Sequence, residues 1–156
     1  MQTEINPIED NVPLYLFHQG KNYKTYEYLG SHRHKTGGMD GYIFRVWAPR
    51  AKSVSVVGDF NEWDRNAHPM TQTSGVWECF VPSVLTEYDV YKYSVETPAG
   101  KIVLKSDPYA FHFETRPSNA SKLYDVNGYD WEDGSWFAEK KKHAHYERPV
   151  NIYELQ

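Results

Sequence analysis

Between Tyr42 and Tyr124 the sequence breaks into short runs whose side chains alternate, with no helical run between them. In Ser53-Val54-Ser55-Val56-Val57, Val54 and Val56 fall on one face and Ser53 and Ser55 on the other. Between Tyr88 and Val95, Tyr91, Tyr93 and Val95 point one way and Lys92 and Ser94 the other. After Gly75, Trp77, Cys79 and Val81 share one face. A period of two belongs to pleated strand. Tyr42–Trp47 (closed by Pro49), Ile102–Leu104 after Gly100, and Ser121–Tyr124 add further strands. Short strands with turn signals at this spacing specify an all-β sandwich or barrel rather than βαβ units. The link Pro49-Arg50-Ala51-Lys52 is short enough to read as a hairpin turn joining the first two strands.

The flanks read differently. Residues 1–12 are polar and are expected to fray. Leu14 and Phe17, then Tyr23, Tyr26 and Leu29, recur at spacing three and are interrupted by Gly20 and Gly30, which predicts one or two short helical pieces. His32 to Gly41, with Gly37, Gly38 and Asp40-Gly41, reads as a polar turn region. Residues 129–150 read as a linker. Its run Glu139-Lys140-Lys141-Lys142-His143 suits a solvated face, and Trp131 and Trp136 suit packing between domains. From Pro149 to Leu155 the chain turns apolar, like the start of a strand that has nothing after it to pair with. That places an N-terminal extension at 1–35, a sandwich at 36–128, a linker at 129–150 and a first strand of a further domain at 151–156.

Composition narrows the function. The formal net charge is −4, which argues against a nucleic-acid or anionic-membrane surface. No basic start precedes a long apolar run, and no stretch approaches the roughly 20 apolar residues of a membrane span, so a cytoplasmic protein is expected. The one cysteine, Cys79, excludes an internal disulfide; sharing a strand face with Trp77 and Val81, it is expected to be an inert buried thiol. In that setting the sequon Asn119-Ala120-Ser121 carries no sugar. Aromatics make up 16% of the chain, with 13 tyrosines and 5 tryptophans, and aromatic rings serve both a β-core and a sugar-stacking surface. Trp47 and Trp77 lie within strands and are assigned to the core.

Catalytic constellations are hard to find. Glycoside chemistry needs two carboxyls roughly 5–10 Å apart, yet nothing singles out Asp59 with Asp64, or Glu132 with Asp133, from the other surface acids. His32-Arg33-His34 and His143-Ala144-His145 are i, i+2 pairs, short of the three or four ligands of a zinc site. No metal and no cofactor are expected.

One ordered series of words is more specific. Phe44-Arg45-Val46-Trp47-Ala48-Pro49 is followed by Val54-Ser55-Val56-Val57-Gly58-Asp59-Phe60-Asn61-Glu62-Trp63-Asp64, then His68-Pro69-Met70 and Ser74-Gly75-Val76-Trp77-Glu78. Tyr91-Lys92-Tyr93, Lys105-Ser106-Asp107-Pro108-Tyr109-Ala110-Phe111, and Arg116-Pro117 with Ala120-Ser121 come next. The series resembles the family-48 carbohydrate-binding module that precedes the catalytic barrel of glycogen branching enzymes. Tyr26-Glu27-Tyr28-Leu29-Gly30 is similar to the lead-in of those enzymes, and Asn151-Ile152-Tyr153-Glu154-Leu155 to the first barrel strand. The resemblance implies an immunoglobulin-like β-sandwich with a short helical lead-in, an α-glucan partner such as glycogen or a malto-oligosaccharide, and a C-terminal catalytic barrel that this chain lacks. The implied parent enzyme moves α-1,4-glucan segments into α-1,6 branches, with its catalytic carboxylates beyond Gln156. In related modules the tryptophan of the Asn-x-Trp element and the lysine of the Tyr-Lys-aromatic element touch glucan. By position these are Trp63 and Lys92. A second stacking tryptophan, found in the later hairpin of related modules, is absent from Ala99-Gly100-Lys101-Ile102. Three other readings stand beside this one: a regulatory glycogen-binding module, the equivalent sandwich of a debranching enzyme, and a purely structural domain.

Overall fold

The computed structural model describes residues 11–82, 85–127, 129–142 and 151–155. They belong to two compact units, Met1–Asp125 and Val126–Gln156. Among the described residues of the first unit, nine strands form two antiparallel sheets: β1 Gly30–Thr36, β2 Met39–Trp47, β3 Ser53–Gly58, β4 Thr71–Thr73, β5 Val76–Pro82, β6 Val90–Glu96, β7 Ile102–Lys105, β8 His112–Phe113 and β9 Ser121–Lys122. One sheet has the order β1-β2-β5-β4 and the other β3-β6-β9-β8, with β7 beside β6. The two sheets face each other across a core of Tyr42, Phe44, Val46, Trp77 and Val81 from the first and Val54, Val56, Tyr91 and Tyr93 from the second. This is an all-β sandwich, as the alternation predicts, and of the immunoglobulin-like form that the resemblance implies. No helix among the described residues is long and apolar enough to cross a membrane.

Two local expectations are corrected. Strands β2 and β3 are not a hairpin, because they lie in different sheets. After Pro49 the Ala51 N–H bonds to the Ala48 carbonyl, and the Lys52 N–H reaches the Glu96 carbonyl of β6, which carries the chain across the sandwich. A turn of that length closes a hairpin only if its donors return to the strand just left. The stretch from His32 to Gly41 is also not a loop. It contains β1 and the start of β2, in register from Gly30↔Arg45 to Thr36↔Met39. Gly37 and Gly38 (φ +57° and +85°) make the two-residue turn, in which both positions need positive φ. The strand reads as polar because it is an edge strand, exposed from Arg33 onward.

The lead-in forms as expected. Helix α1, Val12–His18, is capped by the Asn11 side chain, which accepts from the Leu14 N–H, and a 3₁₀ turn follows at Thr25–Glu27. Leu14, Tyr28 and Leu29 pack on Val76, with Phe17 and Tyr109 at the margin, and cover the outer face of the first sheet. Trp47 belongs to this outer face and not to the core. It is 40% exposed and meets Phe17 edge-on at 5.2 Å and His18 at 5.3 Å. Position in a strand does not fix burial; parity does, and Trp47 has the parity of Arg45 rather than of Val46. Trp77 is buried as expected, and its indole N–H donates to the Ala48 carbonyl at 2.8 Å. Burial pushes the Cys79 thiol up to about 12.

In the second unit, where a linker is expected, Gly134–Lys142 forms helix α2. Its three C-terminal lysines suit the negative end of the helix dipole, and Lys140 lies 4.7 Å from the centre of the Trp136 ring. Residues 151–155 are exposed and form no strand, since a strand needs a hydrogen-bonding neighbour. His143 and His145 lie outside the described residues.

The sandwich is knotted internally by Asp107, which has no exposed surface. Its Oδ2 accepts from the Tyr91 hydroxyl at 2.7 Å and the Tyr93 hydroxyl at 3.1 Å, and its Oδ1 accepts from the Tyr109 N–H at 2.8 Å. Burial holds the carboxyl above its usual range despite these donors. Asp107→Ala strands three buried donors and is expected to lower unfolding free energy by about 3 kcal/mol in a urea melt, with Asp107→Asn losing less. A raised folded pKa means the folded state binds this proton more tightly than the unfolded chain. The stability from Asp107 is therefore complete below the ordinary carboxylate range and is lost as pH rises through the folded value. The gap between wild type and Asp107→Asn should widen as pH falls through that window.

Candidate functional site

The Gly58-Asp59-Phe60-Asn61 word ends β3 and builds a loop from the backbone outward. Gly58 tolerates no side chain, since a Cβ there would sit 2.2 Å from the Val90 carbonyl and 2.5 Å from the Phe60 ring. Phe60 turns inward and packs against the core cluster. Asn61 folds back: its Oδ1 accepts from the Gly58 N–H at 2.9 Å, and its Nδ2 donates to the Val56 carbonyl at 3.0 Å. The same Nδ2 lies 2.9 Å from His68 Nδ1, so that nitrogen is the acceptor and the imidazole is neutral. Burial lowers the His68 pKa, in agreement. Glu62 and Trp63 then adopt left-handed backbone (φ +53° and +59°), with the Trp63 N–H bonded to the Gly58 carbonyl at 3.0 Å. The indole is 38% exposed and its N–H donates to Asp59 Oδ1 at 2.8 Å. Asp59 and Asn61 divide the bracing of this loop: Asn61 holds the backbone and Asp59 holds the ring.

Lys92 sits opposite Val57 in the β3–β6 register, one residue before the loop begins. Its side chain leaves the outer face while Tyr91 and Tyr93 fill the core. The Lys92 ammonium donates to Asn119 Oδ1. The fold thus brings the loop of Trp63 and the Lys92 position to one end of the second sheet. Two features of this face were not legible. Asn119 lies in the β8–β9 connection, where no periodicity marks it. Leu104 pairs with Ser94 and Ile102 with Glu96, so both stand on the outer face with Lys92, 53% and 45% exposed. The apolar contribution of the later hairpin therefore exists but is aliphatic. Nearby, Arg65 reaches Ser53 Oγ at 3.2 Å, and Lys52 and Ser53 hold the Glu96 carboxylate below its usual range.

The remaining candidates lead elsewhere. His32 is tied by Nε2 to the Leu29 carbonyl at 2.9 Å, and His34 meets the Phe80 ring edge-on at 6.2 Å. A cleft of about 510 Å³ is lined by Arg33, Lys35, Asp40, Tyr42, Leu85 and Glu87. Its charges are already engaged, Lys35 with Asp40 and Arg33 with Asp125, both at 3.6 Å. The outer face of the second sheet combines the aliphatic Ile102 and Leu104 with the Lys92–Asn119 pair, and the loop with the oriented Trp63 indole follows the end of β3 beside it. Such a face suits a neutral ligand with both apolar and hydroxyl surfaces.

The family model for carbohydrate-binding module 48 (isoamylase N-terminal domain) matches residues 28–110. The 1,4-alpha-glucan branching enzyme GlgB of Bacillus cytotoxicus is 46% identical over 141 residues, covering 89% of this chain and 22% of that protein. GlgB of Bacillus cereus (strain Q1) gives the same identity and coverage. The chain thus spans about a fifth of the length of these relatives. Among solved structures, a PulA mutant from Klebsiella pneumoniae in complex with maltotriose is 31% identical, with a TM-score of 0.51 over 64% of this chain and 11% of that one. The pullulanase from Bacillus acidopullulyticus is 26% identical, with the same TM-score over 64% of this chain and 12% of that one.

The loop's geometry rests on Asn61. Asn61→Ala removes its hydrogen bonds to Gly58, Val56 and His68 and should cost about 1–3 kcal/mol in a thermal or urea melt. Indole ring signals of Trp63 should broaden or shift while those of Trp77 stay in place. His68, with a lowered folded pKa, contributes stability above the ordinary histidine range that is lost as pH falls through the folded value. In Asn61→Ala that acid-side loss should shrink.

Proposed function

This chain belongs to the carbohydrate-binding module 48 family, and we propose that it is the α-glucan-binding module of a 1,4-alpha-glucan branching enzyme, holding glucan on the outer face of its second sheet. The observation that carries the reading is the pre-oriented Trp63 indole, exposed and pinned to Asp59 at the end of the sheet from which Lys92 projects. An indole face stacks on the apolar face of glucose, while the Lys92 ammonium and Asn119 amide meet hydroxyls around it. Because Lys92 already donates to Asn119, a sugar hydroxyl would join or replace an existing contact rather than meet a free amine.

The module makes no bond and breaks none. It holds glucan close to the catalytic domain of its parent, and the resulting rise in local concentration of acceptor and donor chains needs no chemistry in the sandwich. The relatives favour branching over debranching: the GlgB proteins match 89% of the chain at 46% identity, whereas the pullulanase structures match 64% at 26–31%.

Trp63→Ala is expected to weaken glycogen retention in affinity electrophoresis by about three- to tenfold, the equivalent of roughly 1 kcal/mol of lost stacking. Lys92→Ala should weaken it by about two- to fivefold, and neither change should move the melting temperature by more than a degree or two. Undiminished retention by folded Trp63→Ala would remove the site assignment.

A further inference from the structure

The outer face of the second sheet continues past Lys92 to a cluster that neither the sequence words nor the family match assigns. Val90 shares the parity of Lys92 and pairs with Lys122, which pairs with His112. All three therefore stand on the face that carries Lys92. Around His112 the rings of Tyr88 and Tyr124 close a triangle. Tyr88 lies 5.6 Å from His112 and 5.9 Å from Tyr124, and His112 lies 5.7 Å from Tyr124.

Two independent costs converge here. Tyr88 has φ +74°, a left-handed conformation that an aromatic residue rarely adopts, and yet it is 53% exposed, so core packing does not demand it. It is held there by its N–H to the Leu123 carbonyl at 2.8 Å and by Asp89, whose carboxylate accepts from the Thr86 N–H at 2.7 Å and hydroxyl at 3.1 Å. Beneath it, the Nδ1 of His112 is buried without a hydrogen-bond partner. Strain and an unpaired buried atom at one place, in a domain otherwise well satisfied, mark a site retained for something other than stability.

We infer that Tyr88, His112 and Tyr124 form a second glucan subsite, continuous with the Trp63–Lys92 face, so that one malto-oligosaccharide runs along the outer face of the second sheet. The inference rests on the binding role proposed above. The ligand chemistry follows from the lining: an exposed aromatic surface for the apolar face of a sugar ring, with the Lys122 ammonium at its edge and no cluster of like charge to select an anion. Strand geometry places His112 roughly 12 Å from Lys92, two residues along β6 and two strands across. A short oligosaccharide bound at Lys92 falls short of that subsite and a longer one reaches it.

The test is an NMR and calorimetric titration of the full chain with maltotriose and with maltoheptaose. Tyr88→Gly deletes the ring and relieves the positive φ, so the variant is expected to melt no lower than wild type. It should bind maltoheptaose about three- to tenfold more weakly while its maltotriose affinity changes less than twofold. Tyr124→Leu should act in the same sense, and the His112 imidazole resonances of wild type should shift with maltoheptaose alone. If Trp63→Ala weakens both sugars while Tyr88→Gly and Tyr124→Leu bind maltoheptaose as tightly as wild type, the second subsite is refuted and the first stands. If wild type takes up neither sugar, both assignments fall.

Discussion

A carboxylate with no access to water is tolerated only where the surrounding donors are complete, and Asp107 meets that condition with Tyr91, Tyr93 and Tyr109. The arrangement binds separate parts of the chain at once. Ser121 in β9 accepts from the Asp107 N–H at 2.8 Å, and the Tyr91 hydroxyl is also 3.1 Å from Ser31 of β1, in the opposite sheet. A one-residue slip of β6 would swing both phenols to the outer face and leave Asp107 facing the Tyr109 N–H alone. The register of β6 is therefore fixed more strongly than apolar packing would fix it. Because parity is shared by the two faces of a sheet, the same constraint decides which residues stand outside.

That consequence separates the two outer faces. On the first sheet, Leu14, Tyr28 and Leu29 lie over Val76, and the Arg45 guanidinium lies 4.6 Å from the centre of the Tyr28 ring while pairing with Glu78. The lead-in has taken that surface. On the second sheet the middle of the outer face is also buried, at Ser55, Val57 and Ser94, while Ile102 and Leu104 stay exposed beside it. By parity Lys92 of β6, Leu104 and Ile102 of β7, Lys122 of β9 and His112 of β8 share that face, with the Trp63 loop at the end of β3. The proposed ligand surface lies on the sheet that the flanking segment leaves alone, and which sheet that segment covers is set by the apolar spacing of residues 14–29.

This also explains what the sequence disclosed and what it did not. The inner residues of β3, β5 and β6 were legible because large apolar and aromatic side chains recur at every second position, although burial itself reaches both faces of β3. Strand β1 was illegible because an edge strand with an exposed C-terminal half has no reason to alternate in polarity. The crossing from β2 to β3 was misread as a hairpin because four linking residues satisfy either path, and the choice is made by the Glu96 carbonyl, far away in sequence. At the site, Trp63 and Lys92 were named through the resemblance of the Asn-x-Trp and Tyr-Lys-aromatic words, and strand parity places Lys92 on the outer face. Asn119 and the Tyr88–His112–Tyr124 triangle depend on contacts between β6, β8, β9 and their connections, and no local pattern encodes them.

The loop that carries Trp63 shows why its residues are not those of maximal stability. Two successive left-handed non-glycine residues cost about 1–2 kcal/mol each. Asn61 offsets this with its bonds to Gly58, Val56 and His68, at roughly 1 kcal/mol apiece. Phe60 adds burial against the core, and Gly58 gives it room. A plain tight turn would reach the same end of β3 with less strain. What this one adds is a fixed direction for an exposed indole, held by Asp59. That hydrogen bond contributes little to folding in a solvated position, but it removes ring freedom before any ligand arrives. A sugar that stacks on an ordered ring loses less entropy on binding than one that must order it. The strained backbone and the Asp59–Trp63 bond therefore act together, converting folding energy of the sandwich into pre-organisation of its surface.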